Sequence, residues 1–143
     1  MRLRLVSMAD LPPMAAMEAI CSPSPWGFGM LKEALVLEGT WGLGIEEGGL
    51  LLGFGLFYKV LDEWQVMTLC VLPQHRRRGI ARSLLEEAKE AAKQEGARKL
   101  SLEVRESNVA ARRLYVQTGF FQVGARKAYY RDGEDAVLMD CLL

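Results

Sequence analysis

An α/β fold with a mixed, mostly antiparallel central sheet flanked by helices follows from three features of the sequence. Residues 66–105 read as strand, amphipathic helix and strand. That βαβ unit demands a locally parallel strand pair with a right-handed crossover. Apolar and alternating stretches lie on both sides of it, joined by short glycine-containing turns that mark antiparallel hairpins. With 143 residues, half of them hydrophobic and a quarter charged, the chain has the size of one globular domain spanning 1–143.

The elements follow in order. Arg2, Leu3, Arg4, Leu5 and Val6 alternate with period two, a strand with one buried face. Ser7 or Asp10 caps the next helix, whose first turn alone tolerates Pro12 and Pro13; Met14, Ala16, Met17 and Ile20 form its apolar face. Residues 21–29, with two prolines, two glycines, Trp26 and Phe28, make a loop, and a short helix covers about residues 30–37. Residues 40–46 and 50–60 are strands joined through Glu47-Gly48-Gly49, and Asp62-Glu63 turns the chain into a strand over 64–72. After Gly79 a helix places Ala81, Leu84, Leu85, Ala88 and Ala92 on one face and ends at Gly96. Lys99 to Arg105 alternates again, Ser107 caps a helix through Gln117, and strands over 120–130 and 136–142 meet around Arg131-Asp132-Gly133-Glu134.

Composition narrows the function. Eighteen basic and eighteen acidic residues cancel, so no overall charge argues for nucleic acid. Cys21, Cys70 and Cys141 are scattered among apolar neighbours and form no C-x-x-C pair, which reads as buried thiols and not as a disulfide framework or metal site. No signal-peptide core opens the chain and no apolar run reaches the ~20 residues of a membrane span, so the expected location is the cytoplasm, with no membrane partner.

The unusual stretch is His75-Arg76-Arg77-Arg78-Gly79-Ile80-Ala81-Arg82, lying between a strand and a helix. A helix N-terminus already carries about half a positive charge and several unpaired N–H donors, so cations crowded there imply an anion, most simply a phosphate. The stretch lacks the Gly-Lys pair of a Walker loop, and Gly53-Phe54-Gly55 lacks the third glycine of a dinucleotide fingerprint. Read on residues alone, it is an anion site, a solvated basic turn or a nucleic-acid patch.

Arg76-x-x-Gly79-x-Ala81 resembles the pyrophosphate loop of the GNAT acetyltransferases, and further segments extend the likeness. These are Leu102-Glu103-Val104-Arg105-Glu106-Ser107-Asn108 and Leu114-Tyr115-Val116-Gln117-Thr118-Gly119-Phe120. Pro25-Trp26, Asp62-Glu63, Tyr129-Tyr130 and the residues from Gly133 to Ala136 are similar, more narrowly, to the ribosomal-protein-alanine N-acetyltransferases. The resemblance implies a GNAT fold whose parallel strands splay apart, with acetyl-CoA as co-substrate and no metal. It implies that backbone groups of Leu69, Cys70 and Val71 hold the pantetheine and acetyl carbonyl. Arg76, Arg77, Arg78, Gly79, Ile80, Ala81 and Arg82 would hold the pyrophosphate, and Asn108 the pantetheine arm.

The same resemblance makes Glu103 the general base and Tyr115 the general acid, acting by direct attack of the amine through a ternary complex. An N-terminal ammonium of pKa about 7.7–8.0 needs only modest help from a carboxylate, and a phenol can donate to a departing thiolate. Pattern alone also allows Glu103 as a strand residue paired to Arg105, Tyr115 as a core residue and Asn108 as a helix cap. His75 fits a solvated loop and Cys70 a packing role. Trp26, Glu63, Tyr129 and Tyr130 are the candidate walls of an acceptor groove, and Asp62, Glu63, Glu134 and Asp135 would favour a basic peptide such as a ribosomal protein offers. The expected acceptor is a protein N-terminus, specifically the alanine of a small-subunit ribosomal protein. Two alternatives are a GNAT enzyme acting on lysine or a small amine, and a non-catalytic nucleic-acid or CoA-binding module.

Overall fold

The structure is a computed structural model and describes residues 1–143. Strands β1 (Arg2–Leu5), β2 (Thr40–Glu47), β3 (Leu50–Val60), β4 (Glu63–Val71), β5 (Lys99–Arg105), β6 (Phe121–Arg126) and β7 (Ala136–Leu142) form one seven-stranded sheet. Its order is β1-β2-β3-β4-β5-β7-β6, and β4–β5 is the single parallel pair. The helices are α1 (Leu11–Cys21), α2 (Phe28–Val36), α3 (Ile80–Gln94) and α4 (Val109–Gln117). The mixed sheet and the βαβ unit are therefore as expected.

The helices divide between the two faces. Met14 and Met17 of α1 and Leu31 and Ala34 of α2 pack on Phe54, Leu56 and Cys70. On the other face Leu85, Ala88 and Ala92 of α3 and Tyr115 of α4 pack on Trp64, Leu100, Leu102 and Val104. Since successive strand residues point to opposite faces, β5 sends Leu100, Leu102 and Val104 toward α3 and leaves Ser101, Glu103 and Arg105 facing the side of α1 and α2.

The feature that shapes the site is an irregularity in β4. Its register with β3 shifts from Leu56↔Thr68 to Phe57↔Val66, so Met67 is an extra residue, a β-bulge. The parallel pairing of β4 with β5 stops at Gln65↔Ser101, beside that bulge, although β5 stays paired to β7 through Arg105↔Ala136. A bulge bends its strand, and here β4 leaves β5 and opens a slot in the sheet.

Local expectations fail in identifiable places. Ile20 is exposed and Ala16 lies on the solvent side of α1; the stripe actually buried is Leu11, Met14, Met17 and Glu18. The buried stripe of α1 thus includes a carboxylate, Glu18. In α3 the deeply buried first-turn residue is Ile80, with Ala81 only half-buried. The cap of α4 is Asn108, whose Oδ1 accepts from the Ala111 N–H at 3.2 Å, while the Ser107 N–H donates to Glu134. Strand β6 stops at Arg126, because Ala128 takes φ +50° and its N–H turns to the Asp135 carboxylate, so Tyr129 and Tyr130 sit on a loop.

Candidate functional site

Beyond Gln65 and Ser101 the gap between β4 and β5 is a cavity of about 720 Å³. Eight of the sequence-selected residues meet on its wall: Trp26, Leu69, Cys70, Glu103, Asn108, Tyr115, Tyr129 and Tyr130. Tyr115 comes from the α3–α4 side and Glu103 from the α1–α2 side, so the slot passes through the sheet with one of these groups on each face. Val71 and the run Arg76, Arg77, Arg78, Gly79, Ile80, Ala81 and Arg82 lie outside the wall, where β4 ends and α3 begins. Glu63 starts β4 and pairs with Lys99 at 3.5 Å.

The arginine loop has the geometry of an anion nest. Arg77 and Gly79 adopt φ of +65° and +76°, and Gly79 caps α3 with its backbone in the left-handed region. A Cβ at Gly79 would meet nothing, so glycine is needed there for conformation and not for space. The first intrahelical bond is Ser83 N–H to the Gly79 carbonyl, which leaves the N–H groups of Ile80, Ala81 and Arg82 without an acceptor in the helix. Arg78 bonds Glu47 at 2.9 Å and His75 at 3.2 Å, and Arg82 reaches Gln117 at 3.2 Å. His75 thus belongs to the loop's own scaffold. These donors and cations fit a diphosphate. The strand edge of β4 freed beyond Gln65 fits an extended amide-bearing arm, because it presents backbone groups that β5 no longer takes.

The two candidate proton carriers stand in different surroundings. Glu103 is about a third exposed, lies 3.7 Å from Arg126 and sits beside the Tyr129 phenol, whose pKa it raises. Its expected strand partner Arg105 points elsewhere. Tyr115 is 8 % exposed and its hydroxyl makes no hydrogen bond within the protein; burial pushes its pKa up to about 12. That phenol stays protonated throughout the neutral range and is available as a donor. Burial also pushes up the Cys70 thiol, so it is no thiolate nucleophile, which agrees with a packing role.

Arg105 joins the two loops at the cavity mouth. Its guanidinium lies 4.0 Å over the Tyr130 ring and bonds Asp132 at 2.8 Å and Glu134 at 2.9 Å. It also donates to the Ser24 hydroxyl in the α1–α2 loop. Glu18, Thr68 and Arg126 line the same cavity without belonging to any of the sequence motifs. For Glu18 a signal existed: it falls four residues after Met14 and seven after Leu11, on an otherwise apolar stripe. No local pattern announces the Arg105 partners, which are distant in sequence. The acidic residues Asp62, Glu134 and Asp135 are already paired within the chain, with Arg98, Arg105 and the Ala128 N–H respectively.

Comparison with known proteins adds to this geometry. Residues 12–120 match the acetyltransferase (GNAT) family. The chain belongs to the GNAT acetyltransferase family. A [ribosomal protein bS18]-alanine N-acetyltransferase of Haemophilus influenzae is 38% identical over 123 residues, 83% of each chain. The Salmonella typhimurium protein of the same description is 32% identical over 142 residues, 94% of this chain and 93% of the relative. Among solved structures, the ribosomal-protein-S18-alanine N-acetyltransferase from Escherichia coli superposes with a TM-score of 0.92 at 30% identity, covering 99% of this chain and 92% of that one. This GNAT chain is thus an acyltransferase, and no helix in it is long and apolar enough to cross a membrane.

Proposed function

We propose that this chain moves the acetyl group of acetyl-CoA to the N-terminal alanine of ribosomal protein bS18. That substrate places the reaction in the cytoplasm. The observation that carries the reading is the slot between β4 and β5, which has Tyr115 on one face of the sheet and Glu103 on the other. Donor and acceptor then approach from opposite faces and meet in the gap. The similarity to bS18-alanine N-acetyltransferases over nearly the whole chain supports the choice of acceptor.

Acetyl-CoA supplies the activated thioester. The amides of residues 80–82 and the loop arginines hold its diphosphate, and the backbone of Leu69, Cys70 and Val71 along the freed edge of β4 orients its arm, with Asn108 beside it. Glu103 accepts a proton from the acceptor amine, whose pKa of about 7.7–8.0 makes that transfer easy near neutrality. The amine nitrogen bonds to the acetyl carbon as the carbon–sulfur bond breaks, both substrates being present together. Tyr115 donates to the departing sulfur. A phenol of pKa about 12 is a weaker acid than a free thiol near 8.5, but desolvation in the same slot raises the thiol's pKa as well, which narrows the difference. Trp26, Tyr129 and Tyr130 wall the acceptor side.

The test is mass spectrometry of unmodified bS18, or a peptide of its first residues, after incubation with the chain and acetyl-CoA. One acetyl group on the α-amine is expected, with none when that amine is blocked beforehand. Acetylation of lysine side chains or free polyamines in preference to the N-terminus would overturn the choice of acceptor.

A further inference from the structure

Two carboxylates in this chain are deeply buried, and they differ in their partners. Asp10 is held by Arg4, whose two terminal nitrogens lie 2.9 and 2.8 Å from its oxygens. Glu18 is 2 % exposed and takes part in none of the chain's ion pairs. It accepts from the Thr68 hydroxyl and, at 3.3 Å, from the Trp26 N–H, both neutral donors. A carboxyl group has more hydrogen-bonding capacity than these two donors use. A buried charge without a counter-charge is costly, so a carboxyl group in such a place either takes up a proton or is completed by a cation.

No cation of the protein supplies it. The cavity arginines are engaged elsewhere, Arg105 with Asp132 and Glu134 and Arg126 with Glu103. The Cys21 and Cys70 thiols near Glu18 carry no positive charge. Glu18 nevertheless lines the cavity, and its partner Thr68 directly follows the bulged Met67, where β4 parts from β5. It also reaches that position from α1, on the face of the sheet that Glu103 occupies.

We infer that Glu18 binds the acceptor's ammonium group, its buried carboxylate being the counter-charge that the incoming α-amine completes before Glu103 removes a proton. This rests on the N-terminal acetyltransferase reading. An α-amine with a pKa of about 7.7–8.0 arrives largely as the cation at neutral pH. The site then selects a cationic amine at the moment of binding, whereas Glu103, exposed and already beside Arg126, serves the proton transfer.

The experiment measures binding without turnover, with CoA in place of acetyl-CoA. A peptide of the first residues of bS18 is titrated calorimetrically beside its des-amino analogue, in which hydrogen replaces the α-amine. The wild-type chain should prefer the amine by roughly tenfold to a hundredfold, the range of a charge-assisted hydrogen bond. In Glu18→Gln the preference should collapse to within about twofold, since only the charged pair is lost. Glu103→Gln should keep it. Thr68→Val, close to isosteric, removes one neutral donor and should increase it, which decides the matter even if Glu18→Gln does not fold. Equal weakening of both peptides in Glu18→Gln would make Glu18 a clamp for the Trp26 loop and overturn the inference, as would an unchanged preference in Thr68→Val. Failure of the wild type to bind either peptide overturns the acceptor reading and this inference with it. An amine preference without acetylation sinks the proposed reaction and leaves the ammonium site standing.

Discussion

Glu103 and Tyr115 differ in what surrounds them, and the proposed division of tasks between them rests on that difference. A partly exposed carboxylate beside Arg126 is placed to take a proton, while a buried phenol with no partner in the protein is placed to give one. Glu103→Gln and Tyr115→Phe should each lower kcat by about 10²–10⁴-fold, the usual range for general acid–base groups, with acetyl-CoA affinity retained in equilibrium binding. Tyr115 also makes alkaline stability informative. Its folded pKa of about 12 exceeds the ordinary 10, so its contribution is complete below pH 10 and is lost as pH rises from 10 to 12. The loss is on the order of 3 kcal/mol for two units. Urea unfolding at pH 9 and pH 11.5 should show this decline in the wild type and a shallower one in Tyr115→Phe.

At the scale of elements, close approach places the anion loop. A Cβ on Gly53 of β3 would come within 2.8 Å of the Ile80 side chain and 3.1 Å of the Cys70 carbonyl, so glycine there lets the first turn of α3 rest on the sheet. Gly53→Val should displace that turn, lower stability by about 1–3 kcal/mol as overpacking does, and raise KM for acetyl-CoA. Thermal unfolding and initial-rate kinetics would separate the two effects. Arg105 has the corresponding position for the acceptor loops, tying the 127–135 loop to Ser24. Arg105→Ala should raise KM for the bS18 peptide by roughly tenfold, leaving KM for acetyl-CoA within about twofold, because it frees the loops and not the arginine turn. A proportionate change in both constants would contradict this division.

In the proposed reaction one sheet separates two binding surfaces. Where β4 bends at Met67, the slot connects the proposed donor side, with the arginine turn, to the proposed acceptor side, with Trp26, Tyr129 and Tyr130. Variants on the two sides should therefore segregate kinetically. Arg77→Ala should raise KM for acetyl-CoA by about fivefold or more, more weakly at high salt because exposed charges are screened, and Trp26→Ala should raise only the peptide KM. Full initial-rate matrices in both substrates would reveal any crossover between the sets. A crossover would mean that the donor and acceptor surfaces are not independent.

Much of this organisation is legible in the sequence because it is local. Alternation over Lys99 to Arg105, helical spacing from Leu84 to Ala92, and the glycines at 48, 49, 79 and 96 each depend on a few neighbouring residues, and each produces the expected element. The arginine turn is proposed as an anion site by the same local logic. Glu103, Asn108 and Tyr115 entered as candidates through resemblance, since pattern alone leaves each an ordinary structural role. Only the tertiary structure decides what lies across the slot from what. The bulge at Met67 arises from pairing with β3, so no window of β4 by itself contains it. The partners of Arg105 lie 27, 29 and 81 residues away, and Thr68 lies 50 residues from Glu18. The spacing of Glu18 on an apolar stripe hints at its burial, but the absence of a counter-charge beside it is a property of the assembled sheet and helices.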